Sequence, residues 1–295
     1  GFDASIYANM GEMDNKGVDA NLEYQTRIGN KVGLRLFGNL TYSKNKIVFR
    51  DEPAMQYAYQ KSEGTRYGEF YGYIAEGYFQ SEEEIKKSPR QMRELAPGDI
   101  KYKDLNDDGV IDANDQCYLG KSWFPSWSYG MGFNINYHNF DLALFFQGVS
   151  DVSIMANGGS IDTGNGDWGA SGVGIVPFTG MGLNPSNVIT KALDRWTADN
   201  PRADAWYPRM TANATTNDNN YVNSTHWLKD GSYLRLKQAS LGYTLENKKL
   251  MDKGIEYLYF YLSGQNLLTF SKFKLWDPEL GSNGAKYPLS RMVTL

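Results

Sequence analysis

Between Trp127 and Tyr137 the chain reads WSYGMGFNINY, with Trp, Tyr, Met, Phe, Ile and Tyr at odd positions and Ser, Gly or Asn at even ones. A period of two places every apolar side chain on one face of a strand and every small or polar one on the other. The next apolar set, Phe140, Leu142, Leu144 and Phe146, begins after only His138 and Asn139. A tight hairpin then sets Tyr137 against Phe140, Ile135 against Leu142, Phe133 against Leu144 and Met131 against Phe146, all on one side. His138 is a turn residue in this reading, not a ligand.

An earlier pair follows the same rule, with Val18, Ala20, Leu22, Tyr24, Thr26 and Ile28 before Gly29-Asn30-Lys31 and Val32, Leu34, Leu36, Gly38, Leu40 and Tyr42 after it. A third pair, SYLRLKQASLGYTL and IEYLYFYLSGQN, is joined by the polar ENKKLMDKG. Its phase slips, since Leu234 and Leu236 are even while Leu241 and Tyr243 are odd. A β-bulge between them would restore one apolar face.

The connections alternate in length. Turns near residues 29, 138 and 250 are short, whereas the segments 47–126, 148–231 and 267–288 are long and rich in Gly, Asn, Asp, Trp and Tyr. A transmembrane β-barrel has this asymmetry, with short periplasmic turns and long extracellular loops. From Trp127 to Tyr137 the chain covers about 33 Å, or roughly 25 Å of height at barrel tilt, the thickness of the apolar band. Aromatic residues at both ends of that span suit interfacial girdles. A soluble sandwich shares the alternation but has no reason to collect its long loops at one end.

Composition narrows the classes. The formal net charge is −4 and the pI near 5.4, so no basic field invites nucleic acid. One cysteine, Cys117, and two isolated histidines, His138 and His226, argue against a disulfide framework, a zinc site or a histidine-based triad. No apolar run is long enough for a membrane-crossing helix, but the mean hydropathy of −0.53 is compatible with alternating barrel strands. The opening residues GFDASIYANMGEMDNKG read as the middle of a longer chain.

The most explicit chemistry is DLNDDGVIDAND, Asp104 to Asp115. Calcium takes six to eight oxygens, which a short loop supplies from alternating acidic positions around a sharp turn. Asp104, Asn106 and Asp108 occupy positions one, three and five, Gly109 stands at the turn, Val110 offers its carbonyl, and Asp112 and Asp115 follow at nine and twelve. Ile111 is the apolar anchor. Aspartate in place of glutamate at the last position shortens the reach of a bidentate ligand, so a modest affinity is expected. Flanks containing Pro97, Gly98, Gly120 and Pro125 are extended, not the helices of an EF-hand. The expected role is a structural Ca2+ clip, with Mg2+ as the alternative ion; no base or nucleophile accompanies it. SEEEIKKS, Ser81 to Ser88, predicts a helical turn capped by Ser81.

Taken together, the stretches NMGEMDNKGVDANLEY, YGYIAEGYFQSEEEI, PGDIKYKDLNDDGVIDAND, YGMGFNINYHNFDLALFFQG, WLKDGSYLRLKQASLGYTL, SGQNLLTFSKFKLWDPE and YPLSRMVTL resemble the C-terminal part of SusC/RagA-type TonB-dependent outer-membrane transporters. They recur in the family's order along nearly the whole chain. The resemblance implies an all-β fold, part of an antiparallel barrel of about 22 strands closed around a plug. It implies import of bulky oligosaccharides or peptides, driven through the TonB complex and capped by a SusD-like surface lipoprotein. The family's plug, TonB-contacting segment and signal sequence lie upstream of the matching region, and its last strand usually ends on an aromatic residue, where this chain has Leu295. Residues 1–295 are therefore expected to supply about seven or eight strands of a wall completed elsewhere, embedded in the lipid bilayer of the bacterial outer membrane.

On this reading the protein is not an enzyme. WDPE, with Trp276 and Asp277, pairs an aromatic with a carboxylate, a combination suited to sugar binding. Trp168, Trp196, Trp206, Tyr207 and Trp227 fall in the second long segment, and Trp206, Tyr207 and Trp227 join Trp276 and Asp277 as candidate substrate contacts. The rival reading is a secreted all-β carbohydrate-binding module or glycosidase with a structural calcium, although no carboxylate pair is singled out.

Overall fold

A computed structural model describes residues 11–29, 31–157, 190–210, 218–282, 284 and 287–295. Two long strands, β1 (Gly11–Ile28) and β2 (Val32–Arg50), are followed by the short strands β3 (Glu69–Gly72), β4 (Ala75–Tyr78), β5 (Ile100–Tyr102) and β6 (Cys117–Ser122). The hairpin β7 (Trp127–Tyr137) and β8 (Phe140–Ser150) comes next, then β9 (Ser153–Met155) and β10 (Leu228–Asp230), and finally β11 (Tyr233–Leu245), β12 (Leu258–Ser271) and β13 (Met292–Thr294). The large sheet has seven strands in the order β1-β2-β7-β8-β11-β12-β13, each antiparallel to its neighbours. Among the described residues its two edges, β1 and β13, have no further strand beside them.

Register explains why the sheet is two-faced. Thr26, Leu34, Ile135, Leu142, Leu241 and Leu262 lie side by side across six strands, one partner to the next. One residue along, Arg27, Gly33, Asn136, Asp141, Gly242 and Tyr261 form the neighbouring row on the opposite face. Because a one-residue slip would exchange the faces, the apolar pattern itself specifies this pairing. The four cross-strand pairs expected for the β7–β8 hairpin all occur, and so does the register around Gly29. His138 adopts a positive φ of 52° in its two-residue turn. The phase slip in β11 is a bulge between Leu236 and Gln238.

The apolar face ends in aromatic rims. At the short-turn end Phe140 packs on Tyr243 with ring centroids 4.7 Å apart; at the other end Tyr42 packs on Trp127 at 4.5 Å. Midway up the polar face, Gly132 leaves room for Phe37 and Phe145, whose rings stack 6.0 Å apart; a Cβ at Gly132 would come within 2.5 Å of the Phe37 ring.

The three long connections, β2 to β7, β8 to β11 and β12 to β13, leave the same end of the sheet. The first two share a core. Tyr73, Tyr78, Ile100, Tyr102 and Ile111 from the former pack with Met155, Trp196, Tyr207 and Trp227 from the latter. A buried polar network fastens them: Asn220 Oδ1 accepts from Ile100 N–H at 2.8 Å, its amide donates to Asp99 at 2.7 Å, and Arg209 pairs with Asp99 at 2.7 Å. Gly98 sits at φ 91°, where a Cβ would run into the Trp196 ring. The turn predicted at Ser81 is helix α1 (Glu82–Lys87), with the Ser81 hydroxyl accepting from Glu84 N–H.

Candidate functional site

The Asp104–Asp115 loop is built by side chains turned onto their own backbone. Gly109 N–H donates to Asp104 Oδ2 at 2.8 Å, Asp108 N–H to Asn106 Oδ1 at 3.2 Å, and Val110 N–H to Asp108 Oδ1 at 2.9 Å. Asp115 is buried and closes the loop, accepting from Leu105 N–H through one oxygen and Asp112 N–H through the other, each at 2.8 Å. Asp112 caps the 3-10 turn Ala113–Asp115. Positive φ at Asp107 and Gly109 provides the sharp reversal. Ile111 is buried, as an anchor must be, and the loop is tied to its neighbour by Arg90 N–H donating to Gly109 and Ile111 N–H donating to Arg90.

The donor set is entirely oxygen, which matches a hard cation. Among the described residues, no three His, Cys, Asp or Glu side chains converge on one point. One atom is left over: Asp104 Oδ1 is buried and has no hydrogen-bond partner. A buried carboxylate oxygen without a donor is costly, and a cation would satisfy it.

The candidate substrate contacts divide. Tyr207 and Trp227 are wholly buried, and Trp227 donates its indole N–H to Asn220 O at 2.7 Å. These two rings pack in the core that the two long connections share, with Tyr73, Ile100 and Tyr102. Trp196 is buried in the same cluster, and Trp168 lies outside the described residues. Asp277 is also committed, since the Arg235 guanidinium, itself buried, reaches it at 2.6 Å and Glu279 at 3.0 Å. Trp276 packs edge-on to Phe273 at 4.6 Å and donates to Gly281 O.

Trp206 is the exception. It borders a cavity of about 540 Å³ where the β8–β11 connection meets the chain leaving β12, together with Lys191, Lys229, Asp230, Lys272 and Lys274. The four lysines were not singled out by sequence; the alternation in Lys272-Phe273-Lys274 was their visible trace. Lys229 donates to the His226 carbonyl at 2.6 Å and lies over the Trp206 ring, 5.2 Å from its centroid. Burial, reinforced by Lys191, holds the Lys229 ammonium below its ordinary pKa. His226, facing the Tyr78 hydroxyl and the Trp206 carbonyl, is pushed down to about 4, chiefly by burial, and is neutral at physiological pH.

No family model matches the chain. It is 27% identical over 290 residues to the TonB-dependent receptor P3 of Formosa agariphila, covering 94% of this chain and 26% of that protein. It is likewise 27% identical over 321 residues to the TonB-dependent receptor P26 of the same organism, covering 100% of this chain and 30% of that protein. The chain thus spans less than a third of the curated relatives it matches. Among solved structures it superposes on the RagAB peptide transporter with a TM-score of 0.66 at 21% identity, covering 96% of this chain and 28% of that one. The RagAB peptide importer in its closed-closed state gives 0.64 at 22% identity, with 97% and 29% covered. In sequence the chain is similar to TonB-dependent receptors, and its fold is a stretch of antiparallel sheet like that of the RagAB peptide transporter's barrel wall.

Proposed function

We propose that this chain is part of a non-enzymatic outer-membrane importer of bulky nutrients, oligosaccharides or peptides, energised through the TonB complex and working with a SusD-like surface lipoprotein. The observation that carries the reading is the two-faced sheet: six neighbouring strands hold predominantly apolar rows on one side and more polar rows on the other, with every long connection at one end. Such a wall suits lipid outside and an aqueous lumen inside. The likeness to TonB-dependent receptors and to the RagAB peptide transporter supports the same reading.

Within it, Asp104, Asn106, Asp108, the Val110 carbonyl, Asp112 and Asp115 hold a structural Ca2+, or Mg2+ in its place, that stiffens the loop assembly where a lipoprotein would dock. The donor-less Asp104 Oδ1 supports that assignment. A bound cation would supply charge to the loop and no reactive step.

Fractionation of the native protein tests the proposal. It is expected in the outer membrane, soluble only in detergent, co-purifying with a lipid-anchored partner and losing uptake when the proton gradient is collapsed. Recovery as a water-soluble protein that cleaves glycans in free solution would overturn it in favour of the secreted module.

A further inference from the structure

We propose that the cavity beside Trp206 is a subsite for carboxylate-bearing oligosaccharides, with Lys229, Lys272 and Lys274 as its anion contacts. The inference rests on the import reading and adds to it the charge of the cargo.

The local charge runs against that of the whole chain. Four lysines and one aspartate border the cavity in a protein of net charge −4. Lys191 is neutralised by Asp194 at 2.7 Å. Among the described residues Lys229 touches a carbonyl and an aromatic face, and no ion pair is formed by Lys272 or Lys274. Asp230 is the one acidic group on the wall among the described residues; burial pushes its carboxyl up, but bonds from Ser232 and the charges of Lys272 and Lys121 hold it below the ordinary range. With Lys191 paired, the other three ammonium groups outnumber Asp230, and an excess of positive charge around one concavity gathers counter-charge.

Phe273, buried against Ile154 and Ala156, borders the same cavity as the exposed Lys272 and Lys274 on either side of it, with Leu275 beyond. Anchoring of Phe273 in that small core fixes the chain that carries both lysines at the cavity wall. Lysine presents a compact point charge that accepts a carboxylate from many directions, unlike the planar fork of arginine, and no arginine borders the cavity among the described residues. Trp206 adds a flat apolar wall of the kind that receives the C–H face of a sugar ring. The volume lies inside the range of about 300–1,000 Å³ common for small-ligand sites. A ring carrying its own carboxylate satisfies both walls at once.

The test is calorimetric titration of the native detergent-extracted protein with a galacturonic-acid tetramer, beside the neutral galactose tetramer. The acidic sugar is expected to bind and the neutral one not. Raising salt, or the double variant Lys272→Gln, Lys274→Gln, should each weaken binding about tenfold, as fits two exposed charge contacts. Both lysines are exposed, so the variant should extract and fold as the parent does. Equal binding of the two sugars, no binding of either, an unchanged double variant, or tighter binding of a glutamate-rich peptide would each overturn the subsite. Membrane fractionation of the same preparation reads the import proposal independently.

Discussion

The sheet and the loop assembly use the same residue types in opposite ways. On the sheet, Leu22 is 76% exposed and Phe260 58% exposed, each standing on a continuous apolar face. In the loop assembly, Tyr207, Trp227 and Ile100 are fully buried, surrounded by hydrogen-bonded Asn219, Asn220 and Asp99. On the outer-membrane reading the difference is one of solvent. A region that folds in water hides its aromatics and must satisfy every polar group it buries with them. A barrel wall turns its apolar rows outward to hydrocarbon and sends its polar rows inward.

The comparison is broken most severely by attacking each region in its own terms. Trp227→Ala removes the largest fully buried side chain among the described residues and its bond to Asn220, at an expected cost of about 3–5 kcal/mol. Limited proteolysis should then cut within residues 51–126 and 190–232 while the long strands stay protected in the membrane. Loss of the strands as well would mean that the regions fold as one unit. Met131→Arg places a charge near the middle of the apolar face and should cost about 2–4 kcal/mol, seen as poor membrane insertion. Asn134→Arg, three residues away on the polar face, should insert normally. Similar insertion of the two variants would show that the faces do not differ in solvent.

How much was legible follows the same division. The sheet could be read almost to the residue pair, because period-two alternation and short turns fix register locally: Phe133 opposite Leu144 needs no knowledge of anything distant. The bulge near Lys237 was visible as a phase slip for the same reason. The reversal within Asp104–Asp115 was legible because its turn residues are local, with positive φ at Gly109 and Ile111 buried just after it. The aromatics of the second connection were not. Whether Trp206 borders a cavity and Trp227 fills a core depends on partners such as Ile100 and Tyr102, more than a hundred residues away in sequence. The pairing of Asp277 with Arg235 was not visible either, because that partner lies 42 residues earlier on a strand whose charge carries no local sign of pairing.

A smaller effect separates the two regions by ion dependence, since the clip would belong to the loop assembly alone. If Ca2+ fills the Asp104 loop, a concentration 10–100 times its Kd should stabilise that assembly by about 1–3 kcal/mol, with the sheet unaffected. Differential protease protection in calcium against chelator measures it. Asp104→Asn keeps an oxygen for Gly109 N–H but removes the charge, so it should abolish the calcium effect while leaving the chelated protein unchanged. Asp115→Ala should behave otherwise, because that carboxylate holds Leu105 and Asp112 N–H whether or not an ion is bound. It should therefore weaken the loop even in chelator. Magnesium, which demands a smaller octahedral shell, should protect less than calcium at equal concentration. Equal protection in calcium and chelator would leave the loop as a hydrogen-bonded turn, with Asp115 and Ile111 sufficient to hold it.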